Sequence, residues 1–400
     1  MKRLAIVTTH PIQYNAPLFA ALARTGRVHP KAFYTWSQTQ QGGQFDPDFR
    51  RPVAWDVPLL DGYDHTFIEN TARRPGSNHF MGIVNPGLVG ALEAWHPDAI
   101  LVCSWPLHSH LAVLRHFHRR VPLLFRGDST LLNERPGWRT VARRALLTWV
   151  YHHVDIALPV GLRNRDYFEA HGLRDEQLVH VPHCVDNARF ANPGGQPAEE
   201  ARAWRRKLGI DDRDRVLLFV GKLESVKDPH WLVRLAQRLP SSRLKFVFVG
   251  EGHLEESLRR DVGGDPRVLF LGFQNQRAMP IVYRLGDLLV LPSRSETWGL
   301  ALNEAMACGR PILVSDRVGA APDLVDEGRT GWSFAAGGAG DERVARLLEE
   351  VLADRIDLTK MGAAAAARIT DFSVEAAADA IARTLERGAV EGGRSGAPGT

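Results

Sequence analysis

Short apolar runs alternate with longer stretches that have the periodicity of amphipathic helices through most of the chain. We interpret five runs before residue 185 as strands, at residues 4–8, 99–103, 122–125, 156–159 and 178–181. Five more follow at residues 216–220, 245–249, 268–271, 287–291 and 311–315. Apolar strands separated by helices are typical of parallel sheets covered on both faces. The pattern therefore predicts an α/β protein with two doubly wound domains.

A turn-rich segment marks the boundary between the two predicted domains. Residues 192–197 read Asn-Pro-Gly-Gly-Gln-Pro, a composition that interrupts helices and strands. We therefore predict an N-terminal domain at residues 1–190 and a C-terminal domain at residues 191–372. A last helix is predicted at residues 373–388, packing back toward the N-terminal domain. Residues 389–400 are rich in small residues and Pro, which predicts a disordered tail.

The composition of the chain excludes several classes of protein. Of its 400 residues, 44% are hydrophobic and 24% are charged, as in globular domains, so disordered and disulfide-rich chains are excluded. Cys103, Cys184 and Cys308 lie far apart, which argues against a zinc site and indicates thiols in a reducing compartment. The first apolar run is short and no run of eighteen apolar residues occurs. We therefore predict a cytoplasmic protein with at most peripheral contact at the inner face of the membrane.

The net charge of +4 fits an anionic substrate, a nucleic acid or an acidic membrane surface equally well. No basic run is interleaved with aromatic residues, so we predict no nucleic-acid partner. Residues 138–151 combine Trp138, Leu146, Leu147 and Trp149 with Arg139, Arg143 and Arg144. This pattern fits a buried helix with a basic solvent face, which is the more common case, or a helix that rests on an anionic membrane.

Residues 291–334 carry the clearest chemistry in the sequence. They predict a strand, a polar loop, a short helix that starts near Gly299 and ends at Gly309, and a further strand. The amides of a helix N-terminus at the carboxyl end of a strand stabilise an anion, and a glycine there lets a phosphate approach the backbone. Glu296 lies in the loop and Glu304 in the helix, with seven residues between them. As an isolated pair, they would more often be a loop cap and a solvated helix residue.

This segment resembles the E-x7-E donor-site motif of the retaining glycosyltransferase family 4, the group often called glycosyl transferases group 1. The resemblance rests on Pro292-Ser293, Gly299-Leu300, Glu304-Ala305, Gly309, Pro311, Gly319, Asp326, Gly328 and Gly331. It implies a GT-B fold, in which two Rossmann-like domains face each other across a cleft. It also implies that Glu296 contacts the donor sugar and Glu304 the ribose hydroxyls, with Trp298, Gly299 and Leu300 in the same donor-binding turn.

Two cationic residues follow the first strand of the second predicted domain. Gly221 and Lys222 come directly after residues 216–220, and Lys227 lies five residues further on. Two ammonium groups at this edge could flank a pyrophosphate, or they could be exposed lysines. The family usually has Gly-Arg and then Lys here, and both cations bind the donor diphosphate, so Lys222 replaces a guanidinium fork with a point charge. The family also implies that Gly272 and Phe273 line the base pocket.

An acceptor is expected on the N-terminal domain. The loop His10-Pro11-Ile12-Gln13-Tyr14 follows the first strand and resembles a variant found in some family members. His10 could bind a donor phosphate or an acceptor hydroxyl, or it could only cap the loop. Gln13 and Tyr14 are acceptor-side candidates. Arg126 and Asp128 follow the third predicted strand and could touch acceptor or donor, or pair with each other.

These observations predict a retaining glycosyltransferase with Glu296, Lys222, Lys227 and His10 as its catalytic groups. The donor would be a UDP-sugar, with a GDP-sugar as the alternative, and the acceptor a hydroxyl of a glycan, a lipid-linked glycan or a small molecule, in the synthesis of surface polysaccharide or glycoconjugate. We predict no metal cofactor, because Asp46-Pro47-Asp48 matches the Asp-x-Asp metal motif only superficially, next to a polar, Gly-rich segment. A sugar-nucleotide epimerase of similar architecture is the alternative. A glycoside hydrolase that uses both glutamates would leave the lysines without a role.

Overall fold

The computed structural model describes residues 1–39, 44–46, 51–53, 55–192 and 195–392. These residues form two units: the first takes in those of Met1–Gly43, Pro58–Cys184 and Val374–Thr400, and the second those of Gln44–Val57 and Val185–Ser373. Apart from the excursion at Gln44–Val57, the chain passes from the first unit to the second at residue 185, whereas the sequence predicted a boundary near residue 190. Residues 193 and 194 of the predicted linker lie outside the described part.

The strands are β1 (Lys2–Thr8), β2 (Val28–Tyr34), β3 (Gln44–Asp46), β4 (Arg51–Val53), β5 (Asp64–Phe67), β6 (Ala99–Cys103), β7 (Leu123–Arg126), β8 (Ile156–Ala157), β9 (Arg215–Val220), β10 (Leu244–Val249), β11 (Val268–Phe270), β12 (Leu288–Leu291), β13 (Ile312–Ser315) and β14 (Gly331–Phe334). The helices are α1 (Asn15–Arg24), α2 (Leu88–Trp95), α3 (His108–Phe117), α4 (Trp138–Tyr151), α5 (Leu162–Ala170), α6 (Asn187–Ala191), α7 (Gln196–Lys207), α8 (Pro229–Arg238), α9 (Glu255–Val262), α10 (Met279–Leu285), α11 (Leu300–Ala307), α12 (Ala321–Leu324), α13 (Asp341–Leu352), α14 (Leu358–Arg368) and α15 (Val374–Gly392). Strands β3 and β4 pair only with each other, in antiparallel fashion.

The first unit contains a parallel sheet in the order β5-β2-β1-β6-β7-β8. Four of its predicted strands are confirmed, but the run at residues 178–181 contributes only one bridge, from Leu178 to Ala157. The sequence missed β2 and β5. Strand β2 contains Pro30, which argues against an inner strand because it lacks an N–H. It is tolerated where the β2–β5 ladder has not yet begun, since that ladder starts at Lys31.

The second unit contains a parallel sheet in the order β11-β10-β9-β12-β13-β14. All five predicted strands are present, and β14 was missed because Gly-Trp-Ser-Phe is short and begins with glycine. A Cβ on Gly331 would lie 2.0 Å from the carbonyl oxygen of Ile312, so only glycine permits this strand to approach β13 so closely. Two parallel sheets with helices between their strands confirm the predicted doubly wound architecture.

The last helix completes the core of the first unit. Helix α15 packs on α1, and its residues Val374, Ala377, Ala378, Ile381, Ala382 and Leu385 are buried in the same cluster as Leu18 and Leu22. Arg27 binds Asp379 at 2.6 Å and Glu386 at 2.7 Å, which fixes the helix further. The helix runs to Gly392, whereas the sequence predicted its end at residue 388. Residues 393–400 of the predicted tail lie outside the described part.

Every helix in the described part of the chain falls short of the length and apolar character that crossing a membrane requires.

Candidate active site

The loops at the carboxyl ends of the second sheet are tied into one rim, which we call the loop rim (residues 221–228, 250–252, 293–299 and 315–320). Backbone N–H groups of one loop donate to carbonyls of another at 2.8–3.0 Å, from Gly221 to Val249, from Gly250 to Gly272, from Arg294 to Val226 and from Gly319 to Glu296. A Cβ on Gly250 would lie 2.0 Å from the Gly221 carbonyl oxygen, so this crossing requires glycine. Ligands of open α/β sheets bind at this edge.

Helix α11 begins at the loop rim, as the sequence predicted. Its N-cap is Gly299, with φ of +101°, and a Cβ there would lie 3.0 Å from Leu291 Cδ2 and 3.2 Å from Val318 Cγ1. The left-handed backbone and the close neighbours both favour glycine. The helix ends at Ala307, and Gly309 follows with φ of +70°. The first-turn amides of α11 therefore emerge at the carboxyl end of β12, where they can stabilise an anion.

Lys227 and Glu296 form an ion pair inside the loop rim. The Lys227 ammonium donates to Glu296 Oε2, and the two side chains are only 21% and 15% exposed. Beside them, Arg294 Nε donates to Asp228 Oδ2 at 2.9 Å. The structure thus joins two residues that the sequence assigned to different parts of the donor, the diphosphate and the sugar. A lysine ammonium has three N–H groups, so it can hold Glu296 and still donate to a second partner.

Glu304 is buried, with 3% of its surface exposed, which excludes the alternative of a solvated helix residue. Tyr283 Oη donates to its Oε2 at 2.5 Å, whereas its Oε1 has no hydrogen-bond partner among the described residues. Burial raises the pKa of Glu304 to about 7, although the Tyr283 hydroxyl and the charge of Arg189 both lower it. A buried oxygen without a donor costs free energy, and such an exception in a native structure often marks a functional site.

Further donor-side candidates are Trp298, Gly272 and Phe273. The indole of Trp298 is 2% exposed, donates to Asn303 Oδ1 at 2.9 Å and lies 5.9 Å from the Phe372 ring. The indole is therefore packed inside the fold, and the donor contact predicted for Trp298 stays a prediction. Gly272 has φ of +66°, and the Phe273 N–H donates to Glu251 Oε1 at 3.3 Å.

Two residues of the site were missed from the sequence. Glu251 connects the loop after β10 with Phe273, and only the neighbouring glycines pointed to this place. Tyr283 lies in α10, a helix that buries most of its side chains, and its sequence context reads as ordinary core. Leu300 and Lys222 lie at the rim where the sequence placed them, at the first position of α11 and directly after Gly221.

On the first unit, His10 follows β1 in a half-buried loop. Its Nδ1 lies 2.9 Å from Thr9 Oγ1 in a hydrogen bond, and its ring meets Trp36 edge-on at 5.5 Å between centroids. Burial lowers the pKa of His10, so the imidazole is neutral at pH 7. Gln13 and Tyr14 are half-buried in the turn that leads into α1. These three residues therefore share one loop at the carboxyl end of β1.

Arg126 has a structural role that the sequence did not predict. Its guanidinium is buried and donates to the carbonyl oxygens of Val181 at 2.8 Å and Pro182 at 2.9 Å. The guanidinium thus holds the chain segment after β8, and the acceptor contact predicted for Arg126 stays a prediction. Burial, together with the charge of Arg126, lowers the pKa of the nearby His183 to about 4, and the charge of Asp128 opposes this. Asp128 therefore stays a candidate on the acceptor side.

In the part of the chain that the structure describes, no group of three or more His, Cys, Asp and Glu side chains is placed to hold a metal ion. The Asp46-Pro47-Asp48 motif is described only at Asp46, since residues 47 and 48 lie outside the described residues.

Solved structures with this fold are glycosyltransferases of the GT-B class. The Anabaena protein HepE, solved in complex with UDP and glucose, superimposes with a TM-score of 0.70 at 18% identity, over 97% of this chain and 100% of that one. WaaG, a glycosyltransferase involved in lipopolysaccharide biosynthesis, has a TM-score of 0.66 at 15% identity, over 96% and 99% of the two chains. The two doubly wound units therefore have the GT-B fold that the sequence predicted.

Part of the chain is similar in sequence to a known family. Residues 200–368 match the family described as Glycosyl transferases group 1. The D-inositol 3-phosphate glycosyltransferase of Mycobacteroides abscessus is 37% identical over 169 residues, 39% of this chain and 38% of that protein. Its counterpart in Corynebacterium aurimucosum is 31% identical over 251 residues, 60% and 58% of the two chains. The matched part thus spans 38% and 58% of these relatives, and residues 200–368 are similar to the glycosyl transferases group 1 family.

Proposed function

We propose that the protein is a retaining glycosyltransferase that moves a sugar from a nucleoside-diphosphate sugar to an acceptor hydroxyl. One observation carries the proposal: the Lys227–Glu296 pair lies in the loop rim where α11 begins, and α11 carries the buried Glu304 with its unpartnered Oε1. Cations and helix amides suit a diphosphate, and carboxylates suit sugar hydroxyls. A binding site for both halves of a sugar nucleotide follows from this set.

The reaction needs little covalent help from the protein, because a nucleoside diphosphate is already a good leaving group. Lys227, Lys222 and the α11 amides stabilise the charge that develops on the departing phosphate. Glu296 orients the transferred sugar, and Lys227 pairs with Glu296. Retention follows when the acceptor oxygen bonds to the anomeric carbon from the face that the diphosphate leaves. A phosphate oxygen of the departing diphosphate takes the proton of the acceptor hydroxyl, so no protein base is required.

Glu304 binds the ribose in this proposal. The Tyr283 hydroxyl holds Oε2 of Glu304 and so fixes the orientation of the carboxyl group. The other oxygen, Oε1, has no hydrogen-bond donor within the described part of the chain. A ribose hydroxyl supplies that donor, and a hydrogen bond to a charged group contributes about 1.5–3 kcal/mol. UDP is the preferred nucleotide, supported by the UDP bound to HepE.

The acceptor side is proposed on the first unit, with His10, Gln13, Tyr14 and Asp128 as its polar groups. A glycan, a lipid-linked glycan or a small polyol supplies the hydroxyl, and the named relatives act on D-inositol 3-phosphate. We further propose that no metal is needed, because Lys222 and Lys227 supply positive charge for the diphosphate. A cytoplasmic location is supported by three free cysteines. The comparisons give no support to the epimerase alternative.

The two glutamates provide the test, because they have different partners on one ligand. Glu304→Ala is expected to weaken the binding of UDP by about 1.5–3 kcal/mol, which is a loss of affinity of roughly 10- to 150-fold. Glu296→Ala is expected to leave UDP affinity unchanged, or to raise it because Lys227 is released, while turnover of the UDP-sugar is lost. Calorimetric titration with UDP and steady-state rates on a panel of UDP- and GDP-sugars measure both effects.

Glu349→Ala is the matched control, since Glu349 is an exposed carboxylate on α13 outside the loop rim. Circular dichroism checks that each variant is folded. A larger loss of UDP affinity in Glu296→Ala than in Glu304→Ala would show that the two roles are reversed. Absence of turnover with every donor, with UDP still bound, would refute the transferase and leave a nucleotide-binding protein.

A further inference from the structure

Helix α4 of the first unit exposes apolar side chains on the face opposite its buried one. Its buried residues are Leu147, Val150 and Tyr151. The exposed ones are Trp138, Val141, Leu146 and Trp149, with 76%, 69%, 48% and 43% of their surfaces accessible, and we call these four the α4 stripe. At 3.6 residues per turn they lie on the side away from Leu147. Among the α-helices of the described residues, α4 alone exposes more than one large apolar side chain.

This arrangement contradicts the more common interpretation of the sequence, a buried helix with a basic solvent face. Only Leu147 of the four apolar residues singled out there is buried, whereas Trp138, Leu146 and Trp149 face solvent. Contiguous apolar surface on a soluble protein indicates an interaction site. The question is therefore which partner covers the α4 stripe.

The charges around the α4 stripe indicate the kind of partner that covers it. Helix α4 has three arginines and no acidic residue, and Arg135 precedes it. Glu134 is shared by Arg143 and Arg144, but no ion pair to Arg135 or Arg139 occurs among the described residues. The surface that accompanies the apolar side chains is thus cationic.

Cationic groups also lie next to both tryptophans. The Arg139 guanidinium is 5.5 Å from the centroid of the Trp138 ring, and that of Arg115 on α3 is 5.9 Å from the Trp149 ring. Both ends of the helix therefore combine an indole with a guanidinium. Indoles favour the membrane–water interface, and arginines bind lipid phosphates there. A second copy of this face would bring arginines against arginines, which disfavours self-association.

We infer that the α4 stripe rests on an anionic lipid bilayer, with its apolar side chains among the acyl chains and Arg135 and Arg139 on the phosphates. Helix α4 then lies in the plane of the membrane, as basic amphipathic helices do. This inference rests on the first unit alone and does not depend on the donor chemistry. Loss of membrane binding and loss of UDP binding are therefore separate outcomes.

Co-sedimentation of the full chain with vesicles tests the inference. We expect binding to phosphatidylcholine vesicles that contain phosphatidylglycerol, and little binding to phosphatidylcholine alone. Trp138→Ser combined with Trp149→Ser should lower the partition coefficient roughly tenfold or more, and Arg135→Gln with Arg139→Gln should lower it by a similar factor that shrinks in high salt. UDP affinity should be unchanged in both double variants.

Matched controls remove the same chemistry elsewhere. Phe80→Ser with Met81→Ser removes exposed apolar groups outside α4, and Arg329→Gln with Arg355→Gln removes two exposed arginines of the second unit. Both should bind vesicles as the unaltered chain does. Equal losses in a control, equal binding to both vesicle types, or no binding at all would overturn the inference. So would a concentration-dependent dimer, seen by sedimentation without lipid, that the tryptophan variant abolishes, since the stripe would then be a contact between copies.

Discussion

Replacing Glu304 with glutamine should make the protein more stable at pH 8 while weakening the binding of UDP. The buried carboxyl has a pKa of about 7 in the folded chain, against an ordinary value of 4.5. Between those two pH values the folded protein retains a proton that the unfolded chain releases, so stability falls as pH rises through this window. At 1.36 kcal/mol per pKa unit, the loss is about 3 kcal/mol and is complete above pH 7. Glutamine is neutral and nearly isosteric, so Glu304→Gln avoids this loss.

Thermal unfolding of the two proteins at pH 5 and pH 8 measures the effect. At pH 8 the Tm of the variant should be roughly 6–12 °C higher than that of the unaltered chain, for a unit of this size. The difference in Tm should nearly vanish at pH 5. Glu349→Gln on the surface of α13 is the control and should show no such dependence. A difference that is the same at both pH values, or that is larger at pH 5, would refute the assignment of a raised pKa to Glu304.

Three further predictions concern the loop rim. Lys227→Ala should weaken the binding of UDP and UDP-sugars more than that of uridine, because the proposed partner of Lys227 is the diphosphate. Calorimetry with all three ligands measures this, and an equal loss of uridine affinity would contradict it. Turnover should survive excess EDTA, and a loss of rate that magnesium or manganese restores would show that a metal is required. Gly299→Ala should cost about 1–3 kcal/mol of stability, since φ of +101° strains alanine, and should also weaken UDP by disturbing the start of α11. Gly337→Ala, at φ of +77° in open surroundings, should show the stability loss without the UDP effect.

The elements that the sequence predicted correctly are those whose patterns are strong and local. The inner strands β1, β6, β9 and β12 are continuous apolar runs, and helix α11 is bounded by Gly299 and Gly309. These signals need no knowledge of distant residues. Strands β2 and β14 were missed because β2 contains Pro30 and β14 begins with Gly331. Pro30 is tolerated because the β2–β5 ladder starts after it, and Gly331 is needed because β13 lies so close.

The site shows the same division. The positions of Glu296, Glu304, Lys222 and Lys227 along the chain were sufficient to predict one edge of one sheet. The partners of these residues were not predictable, because the Lys227–Glu296 pair joins loops 69 residues apart and Tyr283 reaches Glu304 from another helix. Burial decides whether Arg126 or Trp298 supports the fold or meets a ligand, and burial depends on tertiary packing.

The placement of α15 in the first unit has a consequence for the order in which the protein folds during synthesis. The ribosome makes residues 1–184 first, yet the core around Leu18 and Leu22 lacks Val374, Ile381 and Leu385 until the end of the chain emerges. Domains usually fold in the order in which they are made. Here the second unit becomes complete before the first one. Translation that stops before residue 374 would therefore leave the first unit with an uncovered apolar face, open to chaperones and proteases.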